Sequence, residues 1–523
     1  MRALLAMIFA AAATAAASRV DAQVLRVVPH SNLIILDPIW TTQYMARNHG
    51  YMIYDTLFGT DETSQVRPQM VDTWTVSPDR RLWSFTLRAG LQFHDGAPVT
   101  GEDVIASLAR WGKRDAMGQK LMTFVERMDA PGRDEFRIFL REPCGFVLEA
   151  LGKPSSNVPF IMPRRVAETP ADKQIEDYVG SGPYVFKRDE FKPGDKAVYT
   201  RNTDYVPRKE APSGTAGGKR VYVERVEWNL ALRDAQSQVN ALARGEIDVI
   251  EHPAFESYEQ LRLEPGIALV RKDPVGAQYM CRFNHLHPPF DTPTVRRAAL
   301  AAMQQEPFLR AQVGVKELYR TCASMFTCNT PYASAKGSEI QSKSNPKKAR
   351  ELLKSSGYDG TPVLILKPTD VAPLQKLPEV AAQLLRQAGF NVDLQAMDWG
   401  TLASRRAKKE PPAQGGWNLF CTVWAAPDIW HPLGNAALGA AGDRSWFGWP
   451  ADPELERLRD DFARATEESR KKALAEAIQA RAFEIGTHAP LGEIVDRLAT
   501  RENVTGWVIG PGDVYWNVRK TGG

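Results

Sequence analysis

Between Asp72 and Trp111 the chain has little freedom in how it can fold. Trp83-Ser84-Phe85-Thr86-Leu87-Arg88 alternates large apolar with polar residues, the pattern of a strand with one buried and one wet face. Leu91 and Phe93 continue the apolar face, and His94-Asp95-Gly96 supplies a residue free to take positive φ in a tight turn. Thr100 stands where a helix N-cap belongs, with Glu102 and Asp103 beside the positive end of the helix. Val104, Ile105, Leu108 and Trp111 then fall on one helical face. The expectation is a hairpin packed under an amphipathic helix.

The same residues carry a resemblance. W-x-x-S-P-D from Trp74, followed by W-x-F-x-L-R-x-G-L-x-F-H-D-G-x-P-V-T-x-E-D-V from Trp83, resembles the signature of family 5 solute-binding proteins of ABC transporters. Further matches are Leu36-Asp37-Pro38, Tyr54-Asp55, Gly180-Ser181-Gly182-Pro183-Tyr184, Arg201-Asn202-x-x-Tyr205, Gly245-Glu246-Ile247-Asp248 and the run from Asn284 through Pro288-Pro289-Phe290-Asp291 to Arg296-Arg297-Ala298. The resemblance implies an α/β fold of the large, type II periplasmic binding protein class, with two lobes joined by crossing hinge segments. It also implies a receptor for di- and oligopeptides, nickel chelates, opines or similar solutes.

A chain of 523 residues that is 43% hydrophobic and 24% charged has ample material for a core. The formal charge of +4 is too small an excess to argue for nucleic acid or a membrane surface as partner. Residues 1–22 read as a signal peptide: Arg2, an apolar run from Ala3 to Ala17, and Val20-Asp21-Ala22 as cleavage site. No cysteine stands near that site to take a lipid, so a soluble periplasmic protein is expected. Among the five cysteines, Cys322 and Cys328 are close enough to close a small loop in an oxidising compartment, or they remain thiols.

The order of elements predicts a first lobe over 23–275, containing the 72–111 hairpin and helix, a second over 276–485, and a return to the first over 486–523. The first lobe opens with a strand at Leu25–Val28, continues with a helix over Ala46–Leu57, and carries a surface loop at Ala211–Lys219 with no side chains to build a core. Asp234–Arg244 reads as a helix stopped by Gly245 and followed by a strand at Ile247–Ile250. In the second lobe, helix 346–356 (capped by Asn345), strand Val363–Lys367, helix Glu379–Gly389 and strand Phe390–Leu394 form consecutive α/β units, which imply a largely parallel sheet.

The ligand-contacting candidates cluster in Gly415–Pro432 and just beyond. Trp417–Trp424 reads as a buried strand, and ligands of open α/β sheets bind past the carboxyl ends of strands. In peptide-binding members of the family a tryptophan at this point is followed shortly by an aspartate that pairs with the ligand's α-amino group. The resemblance therefore points to Trp424 and Asp428, with Trp430 closing the same loop. This chain departs from the family spacing, because position 427 is proline and the aspartate comes fourth rather than third. Asp428 is then either presented to an amine through a bulge or a solvated loop carboxylate. Trp446-Phe447-Gly448-Trp449 either lines the ligand site or covers the helix behind it. Trp40, beside the Leu-Asp-Pro loop, is a weaker candidate. Arg405 and Arg282 each offer a bidentate grip for a ligand carboxylate, although Arg405 also suits a solvated helix face.

Enzyme motifs fail to appear: there is no G-x-S-x-G, H-E-x-x-H or G-x-x-x-x-G-K-[ST]. His285-Leu286-His287 reads as structural, and neither metal nor cofactor is expected. The functional expectation is a monomeric, non-enzymatic substrate-binding component of an ABC importer. It would take a di- or oligopeptide or an aromatic conjugate between two lobes and deliver it to the inner-membrane permease. Two alternatives stand beside it: a nickel-chelate or haem receptor on the same fold, which needs a His or Met at the ligand, and a periplasmic chaperone or signalling receptor that does not transport.

Overall fold

The structure is a computed structural model that describes residues 24–522 apart from Lys272, Pro274, Asp370, Asp496 and Pro511. The expected signal peptide at 1–22 lies outside the described residues. Among the described residues no helix is long and apolar enough to cross a membrane. The chain divides into two compact units. The first takes the chain up to Pro143, Val147–Pro274 and Asp496–Gly523; the second takes Cys144–Phe146 and Val275–Val495.

The first unit is built on a mixed seven-stranded sheet. Strand β1 (Val24–Val28) is central, followed in sequence by β2 (Tyr184–Phe186), β3 (Lys196–Arg201), β4 (Arg225–Asn229), β5 (Val249–Ile250) and β6 (Ile267–Val270). The spatial order is β2-β3-β4-β1-β5, then Leu498–Arg501, then β6. Only β1 with its neighbours β4 and β5 runs parallel. The link from β4 to β5 is the helix Ala235–Ala243. Asp234 caps it by accepting from the Ser237 N–H at 2.8 Å, and Gly245 ends it at φ +74°. Its Val239 and Leu242 pack on Val28 and Ile250 of the sheet.

The 72–111 stretch forms the expected hairpin and helix as part of a larger layer. Strands Val71–Val76 and Leu82–Leu87 pair antiparallel, and a second hairpin, Val125–Gly132 with Glu135–Leu140, extends them to a four-stranded sheet. Thr100 and Asp103 close a capping box at the start of the helix Gly101–Trp111, whose Val104, Leu108 and Trp111 are fully buried.

Two local expectations are corrected. The helix placed over 46–57 spans Tyr44–Ile53, because Asp55–Thr56 leaves it to pair with Phe160–Ile161. The stretch 211–219 is no surface loop. Gly214 sits at φ +57° where a Cβ would strike the Thr60 carbonyl, and Lys219 is fully buried with its ammonium 2.7 Å from the Asp55 carboxylate. Small residues let this backbone press inward, and Asp55 gives the lysine a reason to follow. Tyr205 donates to the other Asp55 oxygen at 2.7 Å, and the ammonium lies 4.9 Å over the Trp516 ring.

The second unit carries a six-stranded sheet of β7 (Ala277–Phe283), β8 (Tyr319–Arg320), β9 (Val363–Pro368), β10 (Val392–Met397), β11 (Leu419–Ala425) and β12 (His488–Ile494), in the order β8-β12-β7-β11-β9-β10. The expectation of a largely parallel sheet is corrected. Only β9 with β10 and β11 is parallel, while β7 runs antiparallel between β11 and β12. The pairing of β12 also moves the return to the first unit from 486 to 496, since this strand belongs to the second unit's sheet. Cys281 and Cys421 face each other across β7 and β11 and form a disulfide, as do Cys322 and Cys328; Cys144 is a buried thiol.

Lys219→Met leaves the Asp55 carboxylate buried without its ammonium and should destabilise the first unit by about 3–5 kcal/mol, read as a lower denaturant midpoint. A midpoint unchanged from wild type would place the pair in solvent. Burial pushes His49 and His488 down to about 3. Each stays neutral in the fold while the unfolded chain binds a proton below about 6.5. The stability each contributes above that value is lost as pH falls toward 3, by about 1.4 kcal/mol per pH unit per imidazole. Unfolding midpoints compared between pH 7.5 and 5.5 should therefore fall, and less so in a His49→Gln, His488→Gln double variant.

Candidate functional site

The carboxyl end of β11 is where the second unit gathers its aromatic residues. Val423 and Trp424 leave the buried part of the strand, and Ala426 anchors the turn by donating its N–H to the Gly276 carbonyl at 2.9 Å. Pro427 then stands in the first turn of a one-turn helix, Ala426–Ile429, where its missing N–H costs nothing. Trp424 is half-buried, opposite Gln278 in the β7–β11 register, with its ring 5.3 Å edge-on to Trp446. Among the described residues, the Trp424 indole N–H is buried and makes no hydrogen bond. Such a donor is uncommon in a folded interior, and a ligand oxygen would satisfy it.

Asp428 lies in the first turn of that short helix and is fully buried, which rules out the solvated loop carboxylate. Trp430 follows it, half-buried. The Trp446–Trp449 cluster divides. Trp449, at φ +46°, is buried against Trp417, Leu364, Leu366 and Leu402, so it covers core and does not line a site. Trp446 is half-buried and joins that cluster to the one formed by Met280, Ile429, Ala437 and Trp424.

Among the described residues, both arginines spend their donors on carbonyl oxygens of the chain itself. Arg282 is fully buried and donates to four carbonyls: Phe447 at 2.7 Å, Ala437 at 2.7 Å, Thr487 at 2.9 Å and Trp446 at 3.4 Å. Burial lowers its guanidinium to about 9, and it lies 5.3 Å from the Trp446 ring centroid. The expected ligand grip is thus a structural clamp that seats Trp446 beside Trp424. Arg405 pins the Gly415 and Gly416 carbonyls, each at 3.1 Å, and Gln395 at 2.6 Å. In the first unit Trp40 follows a loop held by Asp37, whose buried carboxylate meets the Arg110 guanidinium at 2.6 Å and takes the Ile39 N–H at 3.0 Å. The Trp40 ring is flanked by Arg114 at 5.6 Å.

Sequence reasoning missed a buried polar group beside Trp424. Gln278 pairs in register with Glu493 of β12. The Glu493 carboxylate is fully buried, takes the Cys328 N–H and the Arg320 Nε at 2.7 Å each, and is raised above the ordinary range by burial. Nothing in the run His488–Ile494 marks a buried acid, because the residues that satisfy it come from elsewhere in the chain. The Cys322–Cys328 disulfide beside it removes both sulfurs as metal ligands.

Comparison with known proteins gives the arrangement a family. The profile of bacterial extracellular solute-binding proteins, family 5 Middle, matches residues 65–439. A probable peptide ABC transporter periplasmic-binding protein of Sinorhizobium fredii is 36% identical over 491 residues, covering 94% of this chain and 92% of the relative. Among solved structures, a periplasmic binding protein from A. tumefaciens R10 in complex with agropinic acid superposes with a TM-score of 0.78 at 20% identity, covering 95% of this chain and 98% of the other. A dipeptide binding protein from Pseudoalteromonas sp. SM9913 in complex with Met-Leu superposes equally well, again at 20% identity, over 95% and 100% of the two chains. The chain therefore belongs to family 5 of the bacterial extracellular solute-binding proteins.

Proposed function

We propose that this protein captures a small peptide or peptide-like conjugate in the periplasm and delivers it unchanged to the inner-membrane permease of an ABC importer. The reading is supported by the name of the Sinorhizobium relative and by the Met-Leu and agropinic acid held by the two structural neighbours. The observation that carries it is the half-buried Trp424, with an indole N–H that makes no hydrogen bond among the described residues, packed against Trp446 and followed four residues on by the buried Asp428. This set offers a face to stack on, a donor for a carbonyl or carboxylate oxygen, and an acid for an amine. Binding uses all three, and no bond is made or broken.

A micromolar dissociation constant corresponds to about −8 kcal/mol, which a stacked aromatic, a satisfied buried donor and one charged pair can supply. The chain from Gln23 onward, titrated calorimetrically with di- and tripeptides and their N-acetylated forms, should bind at least one unblocked peptide in that range. Trp424→Phe keeps the stacking surface and removes the donor, so affinity should fall about tenfold, the equivalent of one hydrogen bond. Trp424→Ala should lose binding while the ligand-free melting temperature stays close to wild type. A peptide bound equally well by Trp424→Ala would remove the site from the carboxyl end of β11.

A further inference from the structure

The first unit holds a second cluster that the peptide reading does not use. β1 and β5 are adjacent parallel strands, with Val28 opposite Ile250, and the chain leaves both at their carboxyl ends. His30 follows β1, and Glu251 and His252 follow β5 directly. Asp513, from the C-terminal segment, completes the group. One ligand-type atom from each of the four side chains lies within 4.8 Å of all the others. His30 Nδ1 is 3.0 Å from Glu251 Oε2, and His252 Nε2 is 3.3 Å from Asp513 Oδ2. The two imidazoles meet edge-on with centroids 5.4 Å apart.

We propose that His30, Glu251, His252 and Asp513 form a binding site for a divalent transition-metal ion, zinc being the best match. Two imidazole nitrogens and two carboxylate oxygens suit zinc and its first-row neighbours, not calcium or magnesium, which favour all-oxygen shells. Neighbouring ligands on a tetrahedral zinc, at about 2.0–2.1 Å from the metal, stand about 3.3 Å apart. The His30–Glu251 and His252–Asp513 pairs already have that spacing.

Electrostatics favours an ion as well. Glu251 and Asp513 are both buried, and two carboxylates this close repel unless a cation or proton lies between them. Arg233, whose charge Glu251 feels, spends donors on the Leu230 and Pro29 carbonyls at 2.9 and 3.1 Å. The outer contacts are those that orient metal ligands. The Tyr515 hydroxyl donates to Glu251 Oε1, which leaves Oε2 to face His30. Asn48 Nδ2 donates to Asp513 Oδ2 at 3.3 Å, and the His30 backbone N–H donates to Glu251 Oε2 at 2.9 Å. The His252 side chain is 41% exposed, so an ion can reach the group from solvent.

The test is direct titration of the tag-free, chelator-stripped protein with zinc, followed by metal quantification after dialysis. One zinc per chain with micromolar or tighter affinity is expected, with no competition from millimolar calcium. His252→Gln should weaken zinc at least tenfold and a His30→Gln, His252→Gln variant should lose it, while Trp424→Ala leaves it intact. Zinc binding therefore stands or falls apart from the peptide site. Cobalt provides a measurement that needs no variant, since its visible absorption distinguishes a four-coordinate nitrogen and oxygen set from a hydrated ion. Failure to bind zinc below millimolar concentration, a hydrated cobalt spectrum, or a folded double variant that binds as well as wild type would each overturn the site.

Discussion

One guanidinium holds the second unit's aromatic surface in place. Arg282 rises from β7, and its donors close on carbonyls from three separate segments: Trp446 and Phe447, Ala437, and Thr487. An arginine suits this task because its planar fork reaches several acceptors at fixed angles, which a lysine ammonium cannot do. Burial that lowers it to about 9 disfavours the charged form there. In return, the segment carrying Trp446 is tied to the sheet at the height of Phe420, and its ring packs against both Phe420 and Trp424.

That arrangement explains how a loop-rich region presents a defined surface. Trp446 contacts Trp424 at 5.3 Å and Phe420 at 5.6 Å, each near perpendicular. Edge-to-face packing of this kind fixes ring orientation as well as distance. Arg406 extends the same logic behind the site, its guanidinium lying between 5.2 and 5.6 Å from the rings of Trp399, Phe420 and Phe447. Cationic side chains thus serve as internal scaffolding here, and among the described residues the buried Trp424 indole N–H makes no hydrogen bond.

The first unit solves a similar problem with paired charges. Asp55 with Lys219, Asp37 with Arg110 and Asp115 with Lys153 are all buried ion pairs that join distant parts of the chain. Buried pairs of this type contribute little net stability over apolar packing, but breaking one is costly because it leaves the other charge buried and unpaired. The Leu36-Asp37-Pro38 loop owes its shape to Arg110, which lies on the helix of the 72–111 stretch that made the fold legible in the first place.

Local order was readable from residues alone. The alternation around Phe85, the Thr100 and Asn345 caps and the helix stops at Gly245 and Gly389 are all short-range physics, and each stands where the pattern put it. The resemblance carried by those same segments reached the family as well. Tertiary structure alone decided the direction of β7 and β12, the inward course of 211–219, the facing of Cys281 and Cys421, and the division of labour among Trp424, Trp446 and Trp449. Strand direction and side-chain commitment depend on partners far away in the chain. An arginine or tryptophan reads the same in sequence whether it meets a ligand or four carbonyls of its own backbone.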